Sequence, residues 1–161
     1  MRVSADLVLG EFNRTLDDRF RLSLPPELTQ PLFGAATEAV LAKERPGCLS
    51  LWDSAIAQQN LSAGVHLVTA KMQAGKLEGR WNEVQRLGRL LSTRHATVQL
   101  ANRGRLLIPE SFRGFLGVEP NQPLTIVGAG VCLEIWQPTA WLRYLETEIA
   151  DFRSIFDKLT S

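Results

Sequence analysis

Two short stretches gather side chains suited to binding a polyanion. The first, LDDRFRLSLP (Leu16–Pro25), holds Asp17, Asp18, Arg19 and Arg21, with Arg14 just before it. The second, LANRGRLLIP (Leu100–Pro109), holds Asn102, Arg103 and Arg105. A guanidinium is planar and carries its donors in a fixed fork, so it can bond a phosphate or a guanine edge through two parallel hydrogen bonds. Phosphate contacts supply affinity and salt dependence, whereas base-edge contacts supply sequence choice. In an extended strand Arg21 and Ser23 point away from Leu22 and Leu24, which places the arginine on the solvent side and the leucines in a core. A solvated turn in which Asp17 and Asp18 pair with nearby arginines would explain any one of these residues. The return of the same arginine pair in a second stretch favours a binding role.

The elements that would position these arginines are themselves repeated. Shifting the chain by 84 positions aligns Leu16 with Leu100, Arg19 with Arg103, Arg21 with Arg105, Leu22 with Leu106 and Pro25 with Pro109. Leu32 then meets Leu116, Cys48 meets Cys132, Leu49 meets Leu133 and Trp52 meets Trp136, nine identities over 37 positions without a gap. Leu24 with Ile108, Val40 with Leu124 and Leu51 with Ile135 are conservative pairs in that frame. Each copy reads as strand, Arg-bearing turn, strand, short helix opened by proline, and hairpin. The second hairpin is expected to turn at Ala129-Gly130, the first at Arg45-Pro46-Gly47. Four short strands are marginal alone, so two copies about a pseudo-two-fold axis should share one core.

Elsewhere the period is helical. Asp53 or Ser54 can cap a helix running from Ala55 towards Leu61, and Trp81, Val84, Leu87, Leu90 and Leu91 share one helical face. Pro138 opens a long helix whose Trp141, Leu145, Ile149, Phe152, Phe156 and Leu159 form a stripe over roughly 34 Å. That stripe suits either a subunit contact or a return over its own sheet. The expected fold is α+β, a single 161-residue domain. It divides into a first repeat (7–53), a helical connector (54–94), a second repeat (95–137) and a C-terminal helix (138–161).

Composition narrows the function by exclusion. The formal charge is +1, so bulk charge gives no nucleic-acid signal, yet residues 71–105 carry eight basic and two acidic side chains. The two cysteines form neither a CxxC pair nor a disulfide framework; they read as small packing residues at equivalent strand positions, with redox sensing as the alternative. No signal sequence and no membrane-length apolar run is present, so a soluble cytoplasmic protein is expected. His66 and His95 are isolated from other metal-ligand types. VGAGVCLE reads as a hairpin turn, not as a dinucleotide site. No catalytic residue, metal or cofactor is expected, and the chain is read as a non-enzyme.

The doubled L-D-x-x-x-R-L-x-[IL]-P pattern, with GEFNRTLDDRFRLSLP, RLLSTRHATVQLANRGRLLIPESFR and IVGAGVCLEIWQPTAW, resembles the MraZ family. These are bacterial transcriptional regulators of the division and cell wall gene cluster. The resemblance covers about Leu9 to Arg143. Single copies of the motif occur in the wider AbrB/SpoVT group of swapped-hairpin DNA-binding domains. It implies two AbrB-like swapped-hairpin repeats in a compact barrel-like core, a ring-like homo-oligomer, and sequence-specific binding to repeated promoter boxes in double-stranded DNA, with the protein at the nucleoid. Carried over residue by residue, it assigns DNA contact to Arg21 and Arg105 first, then Arg19 and Arg103, with Arg14 and Asn102 at the margins and Asp17 orienting Arg21. The chain departs from the pattern twice. Phe20 stands where the family has glycine, as Gly104 does in the second copy, so the first turn is expected to take another shape. Ala101 stands where an aspartate would orient Arg105. The competing function is a protein-interaction module on the same fold, its altered turns no longer reading DNA.

Overall fold

A computed structural model describes residues 6–102 and 104–161. Eight antiparallel strands form one nearly closed, barrel-like sheet: β1 (Val8–Thr15), β2 (Arg21–Ser23), β3 (Glu38–Arg45), β4 (Cys48–Asp53), β5 (His95–Ala101), β6 (Arg105–Leu107), β7 (Pro123–Gly130) and β8 (Leu133–Trp136). Their order is β1-β7-β8-β4-β3-β5-β6-β2. The helices are α1 (Pro26–Phe33), α2 (Ser54–Gln73), α3 (Trp81–Arg94), α4 (Glu110–Leu116), α5 (Pro138–Glu148) and α6 (Phe152–Thr160).

The strand order shows how two marginal units become one core. The opening strand of each repeat pairs with the hairpin of the other: β1 lies on β7, and β5 lies on β3. The pseudo-two-fold axis can be located from register alone. Leu22 faces Leu106 and Ser50 faces Glu134, and in both pairs the partners are the same residue of the two repeats, 84 positions apart. The axis therefore passes through the middle of the β2–β6 ladder and, across the barrel, through the middle of the β4–β8 ladder.

Alternation along the strands fills the interior. Leu22, Leu24, Leu49 and Leu51 from the first repeat and Leu106, Ile108, Leu133 and Ile135 from the second are buried, with Leu28 and Leu32 of α1 and Phe112 and Leu116 of α4 closing the ends. Each such side chain contributes roughly 1.5–3 kcal/mol on leaving water. The hairpin turn at Pro46-Gly47 is wedged in place: the Gly47 N–H donates to Phe115 O at 2.9 Å and its carbonyl accepts from Gln137 N at 2.8 Å. Gly47 has φ +84°, and a Cβ there would lie 2.7 Å from the Ala140 Cβ, so only glycine fits.

Four details differ from the sequence reading. The gapless frame slips inside the hairpins: Ala39, not Val40, is the counterpart of Leu124. Arg14 faces Leu124 in one interface while its equivalent Val98 faces Ala39 in the other. A bulge between Lys43 and Arg45 restores the 84-residue frame before Cys48. The second hairpin turns one residue later than expected, at Gly130-Val131, closed by Ala129 N–H to Cys132 O at 2.9 Å. Helix α2 runs on to Gln73, well beyond Leu61. The C-terminal helix tightens into a 3-10 turn at Ile149–Asp151 between α5 and α6.

Candidate nucleic-acid interface

The β2–β6 ladder is the part of the barrel that brings the predicted arginines together. Leu22 and Leu106 point inward and are buried, so Arg21, Ser23, Arg105 and Leu107 share the outer face. Arg21 sits opposite Leu107, and Ser23 sits opposite Arg105. Arg21 and Arg105 are thus diagonal neighbours, roughly 7–8 Å apart at the backbone, related by the pseudo-two-fold.

The first turn is held by Asp17. One of its carboxylate oxygens, Oδ1, accepts from Arg19 N and from Arg21 N, both at 2.8 Å, and Oδ2 accepts from Arg21 Nε at 2.8 Å. The Arg21 backbone N–H, supported by that of Arg19 and by the Arg21 guanidinium, holds the Asp17 carboxyl below the usual carboxylate range. Because Asp17 takes only Nε, the far edge of the guanidinium, Nη1 and Nη2, keeps its donors for an incoming acceptor. Arg21 and Asp17 are each 38% exposed at the side chain, which leaves the pair open to a ligand.

Phe20 does not reshape the first turn. It adopts φ +59°, in the same left-handed region as its counterpart Gly104 at +84°. The hydrogen bonds agree: Ile108 N donates to Phe20 O at 2.9 Å, and Leu24 N donates to Gly104 O at 3.0 Å, the same bond seen from either side of the axis. A non-glycine residue in this conformation costs of order 1–3 kcal/mol unless its surroundings hold it. Here the Phe20 ring packs against the core, and the Arg113 guanidinium lies 4.1 Å from its centroid. Arg113 is itself fixed by donating Nε to Ile108 O at 2.9 Å. At the second turn the place of Arg113 is taken by its first-repeat counterpart Thr29, whose Cγ2 would be 3.2 Å from a Cβ on Gly104. Arg113 was not singled out from sequence; only tertiary packing brings it to Phe20.

The remaining predicted residues are placed unequally. Arg19 is exposed beside Arg21, and Asn102 is exposed in the second turn. Ala101 cannot replace Asp17, and Arg105 is exposed with no side-chain hydrogen bond or ion pair among the described residues. Arg103 lies outside the described residues. Arg14 is not brought to the ladder: it lies in β1 in the place of Val98, bonded to Asn13 O at 2.9 Å and over the Phe12 ring. The basic block of residues 71–105 is also divided. Lys71, Lys76 and Arg80 lie at the far end of the α2–α3 arm, about 25 Å along the helix from its root. Arg80 pairs with Glu83 at 2.8 Å and Arg94 with Glu44 at 3.0 Å.

Opposite the arginine ladder, Cys48 at the start of β4 and Cys132 just before β8 are buried free thiols. Burial pushes the Cys48 thiol far up and that of Cys132 up to about 12, so neither holds a thiolate at neutral pH. Among the described residues no group of three or more His, Cys, Asp or Glu is placed to hold a metal. No described helix is long and apolar enough to cross a membrane.

Fold and site together define a two-repeat, strand-exchanged β-barrel that shows arginines at its pseudo-two-fold axis. A family model described as "MraZ protein, putative antitoxin-like" matches residues 93–160. The transcriptional regulator MraZ of Treponema pallidum is 31% identical over 150 residues, spanning 90% of this chain and 89% of that protein. That of Roseiflexus castenholzii is 28% identical over 153 residues, spanning 95% and 96%. The chain belongs to the MraZ family.

Proposed function

We propose that this protein is a DNA-binding transcriptional regulator that acts as a homo-oligomer on repeated promoter boxes. The observation that carries the reading is the β2–β6 ladder, which sets Arg21 and Arg105 side by side on one outward face about a two-fold. Family membership supports it, since the relatives are named transcriptional regulators. Arg21, pre-positioned by Asp17, presents the free edge of its guanidinium to a phosphate or a guanine, and Arg105 does the same from the other repeat. Arg19 adds charge at the rim. The site of action is the cytoplasm, at the nucleoid.

Self-association is supported by what the single chain leaves uncovered. Phe152, Ile155, Phe156 and Leu159 of α6 are all more than half exposed, and with Leu7 and Ile149 they line an apolar groove of about 430 Å³. Repeated weak contacts by one oligomer would then gain affinity through multivalency on correctly spaced boxes. Cutting the chain after Gln137 should reduce the assembly to smaller species in analytical ultracentrifugation; an unchanged size would remove the C-terminal helices from the contact.

The DNA reading is tested by selecting duplexes from a random pool and measuring anisotropy against salt. A defined motif, and log affinity falling linearly with log salt, are the expected results. Weak, sequence-blind binding would instead favour a protein-interaction module on this fold, a reading that the divided basic block supports.

A further inference from the structure

The outer face of the barrel is covered differently in its two symmetric halves. After each Trp-ended strand a helix starts in the same way. Asp53 accepts from Ile56 N at 3.2 Å to cap α2, and Gln137 accepts from Ala140 N at 2.7 Å to cap α5. Positions 53 and 137, and 56 and 140, are each 84 apart, so α2 and α5 are counterparts. In the second repeat α5 lays two aromatic rings on the strand's tryptophan. Trp141 and Tyr144 lie 5.2 and 5.1 Å from the Trp136 ring by centroid. The Trp141 indole N–H donates to Glu11 on β1 at 3.1 Å.

In the first repeat the residues at those two positions are Ala57 and Asn60. The space that the two rings occupy over Trp136 corresponds, over Trp52, to a cavity of about 290 Å³. Trp52, Ala57, Asn60, Leu61, Arg94 and His95 are among its walls. The walls are ordered by a chain of polar contacts. Trp52 Nε1 donates to Ser50 Oγ at 2.8 Å, Ser50 Oγ donates to Glu44 Oε1 at 2.6 Å, and Arg94 Nη2 donates to the same oxygen at 3.0 Å. Arg94 Nη1 lies 2.6 Å from His95 Nε2. Arginine has only donors, so His95 accepts at Nε2 and carries its proton on Nδ1. That Nδ1 has no hydrogen-bond partner among the described residues. His95 is also the counterpart of Glu11, the residue that bonds the Trp141 ring in the other half.

We propose that this cavity at the root of the α2–α3 arm is a binding site for a small planar aromatic molecule, in the class of phenols and indoles. Its ring lies on Trp52 as Trp141 and Tyr144 lie on Trp136. Asn60 supplies a polar contact at the open side. The volume is at the lower end for ligand pockets, which restricts the occupant to one or two fused rings. Because the walls come from the sheet and from both arm helices, an occupied cavity fixes how the arm stands on the barrel.

The test uses the full-length chain with p-cresol and indole, models for the two side chains, read by saturation-transfer NMR and calorimetry. Binding of at least one of the two at about millimolar affinity or tighter is expected. The variants Ala57→Trp and Asn60→Tyr rebuild the second repeat's rings. Each should weaken binding by about tenfold or more and raise the melting temperature by filling the cavity. Asn60→Tyr places its change at the cavity's open side, so it serves if Ala57→Trp fails to fold. Absence of binding to the native chain, or equal binding to folded Asn60→Tyr, would overturn the proposal. So would binding only to dissociated chains, which would make the cavity a socket for a neighbouring copy's side chain.

Discussion

The two turns on the arginine face reach one backbone shape by opposite means. In the second, Gly104 takes the left-handed conformation at no steric cost, and nothing among the described residues orients Arg105. In the first, Phe20 is forced into that conformation by the Arg113 stack and by its bond to Ile108, while Asp17 ties Arg21 in place. Each turn thus satisfies half of the requirement locally. The second has the permissive residue but no clamp; the first has the clamp but depends on tertiary contacts for its shape. Pseudo-symmetry of the strands then joins them into one surface, with one arginine pre-positioned and one without a side-chain partner among the described residues.

The two turns should differ most in the effect of losing their arginines. Replacing both Arg21 and Arg105 by Ala should weaken DNA binding by about 1–3 kcal/mol for each residue, roughly fivefold to more than a hundredfold apiece, with circular dichroism and oligomer size unchanged. Arg21→Ala alone should affect sequence choice more than Arg105→Ala, because a fixed guanidinium discriminates between acceptors better than a free one. Equal effects of the two single variants on the selected motif would erase the distinction.

A smaller effect separates the two backbone solutions. Gly104→Ala should lower stability by about 1–3 kcal/mol in urea melts, since it adds a left-handed penalty and presses on Thr29. Phe20→Gly should change stability by less than about 1 kcal/mol, because the relief of strain offsets the lost packing. A large loss for Phe20→Gly would mean that the Arg113 stack, not the backbone, dominates the first turn.

The smallest effect is expected at Asp17. Its pKa is depressed in the folded chain, so its stabilising contribution is present above the unfolded value near 3.8 and is lost as pH falls through the folded one. Asp17→Asn should therefore flatten the acid end of the stability curve by lowering stability modestly at neutral pH, where the carboxylate's contribution is present, and little in acid, where the native chain has already lost it. Its DNA affinity should fall only a few-fold, by roughly the value of an exposed charge pair. A variant with native acid sensitivity would show that Asp17 contributes nothing to the acid transition.

Much of this was legible in the chain itself, and the illegible parts share a cause. The repeat could be read because Leu, Pro, Cys and Trp recur in one frame, and those residues sit at barrel positions with little freedom. Val40 was misaligned with Leu124 because no identity falls between Leu32 and Cys48 to betray the slip and the compensating bulge. The exchange of β1 and β5 between repeats leaves no local trace, since strand alternation gives a face but not a partner. Phe20 misled because its conformation is decided by Arg113, distant in sequence. The cavity over Trp52 could not be read at all: it arises from two modest residues, Ala57 and Asn60, whose meaning appears only beside Trp141 and Tyr144.

The pairing of Val8 with Gly130 sets a schedule for synthesis. The first strand to leave the ribosome is bonded to nearly the last of the sheet, so it must wait, unpaired, until the second hairpin has emerged. Closing so long a loop before any native contact rewards it makes this a chain of high contact order, slow to fold. In that interval the first repeat has an open edge that a sister chain's hairpin fits as well as its own. Crowded polysomes are therefore where the two halves of different molecules are most apt to exchange.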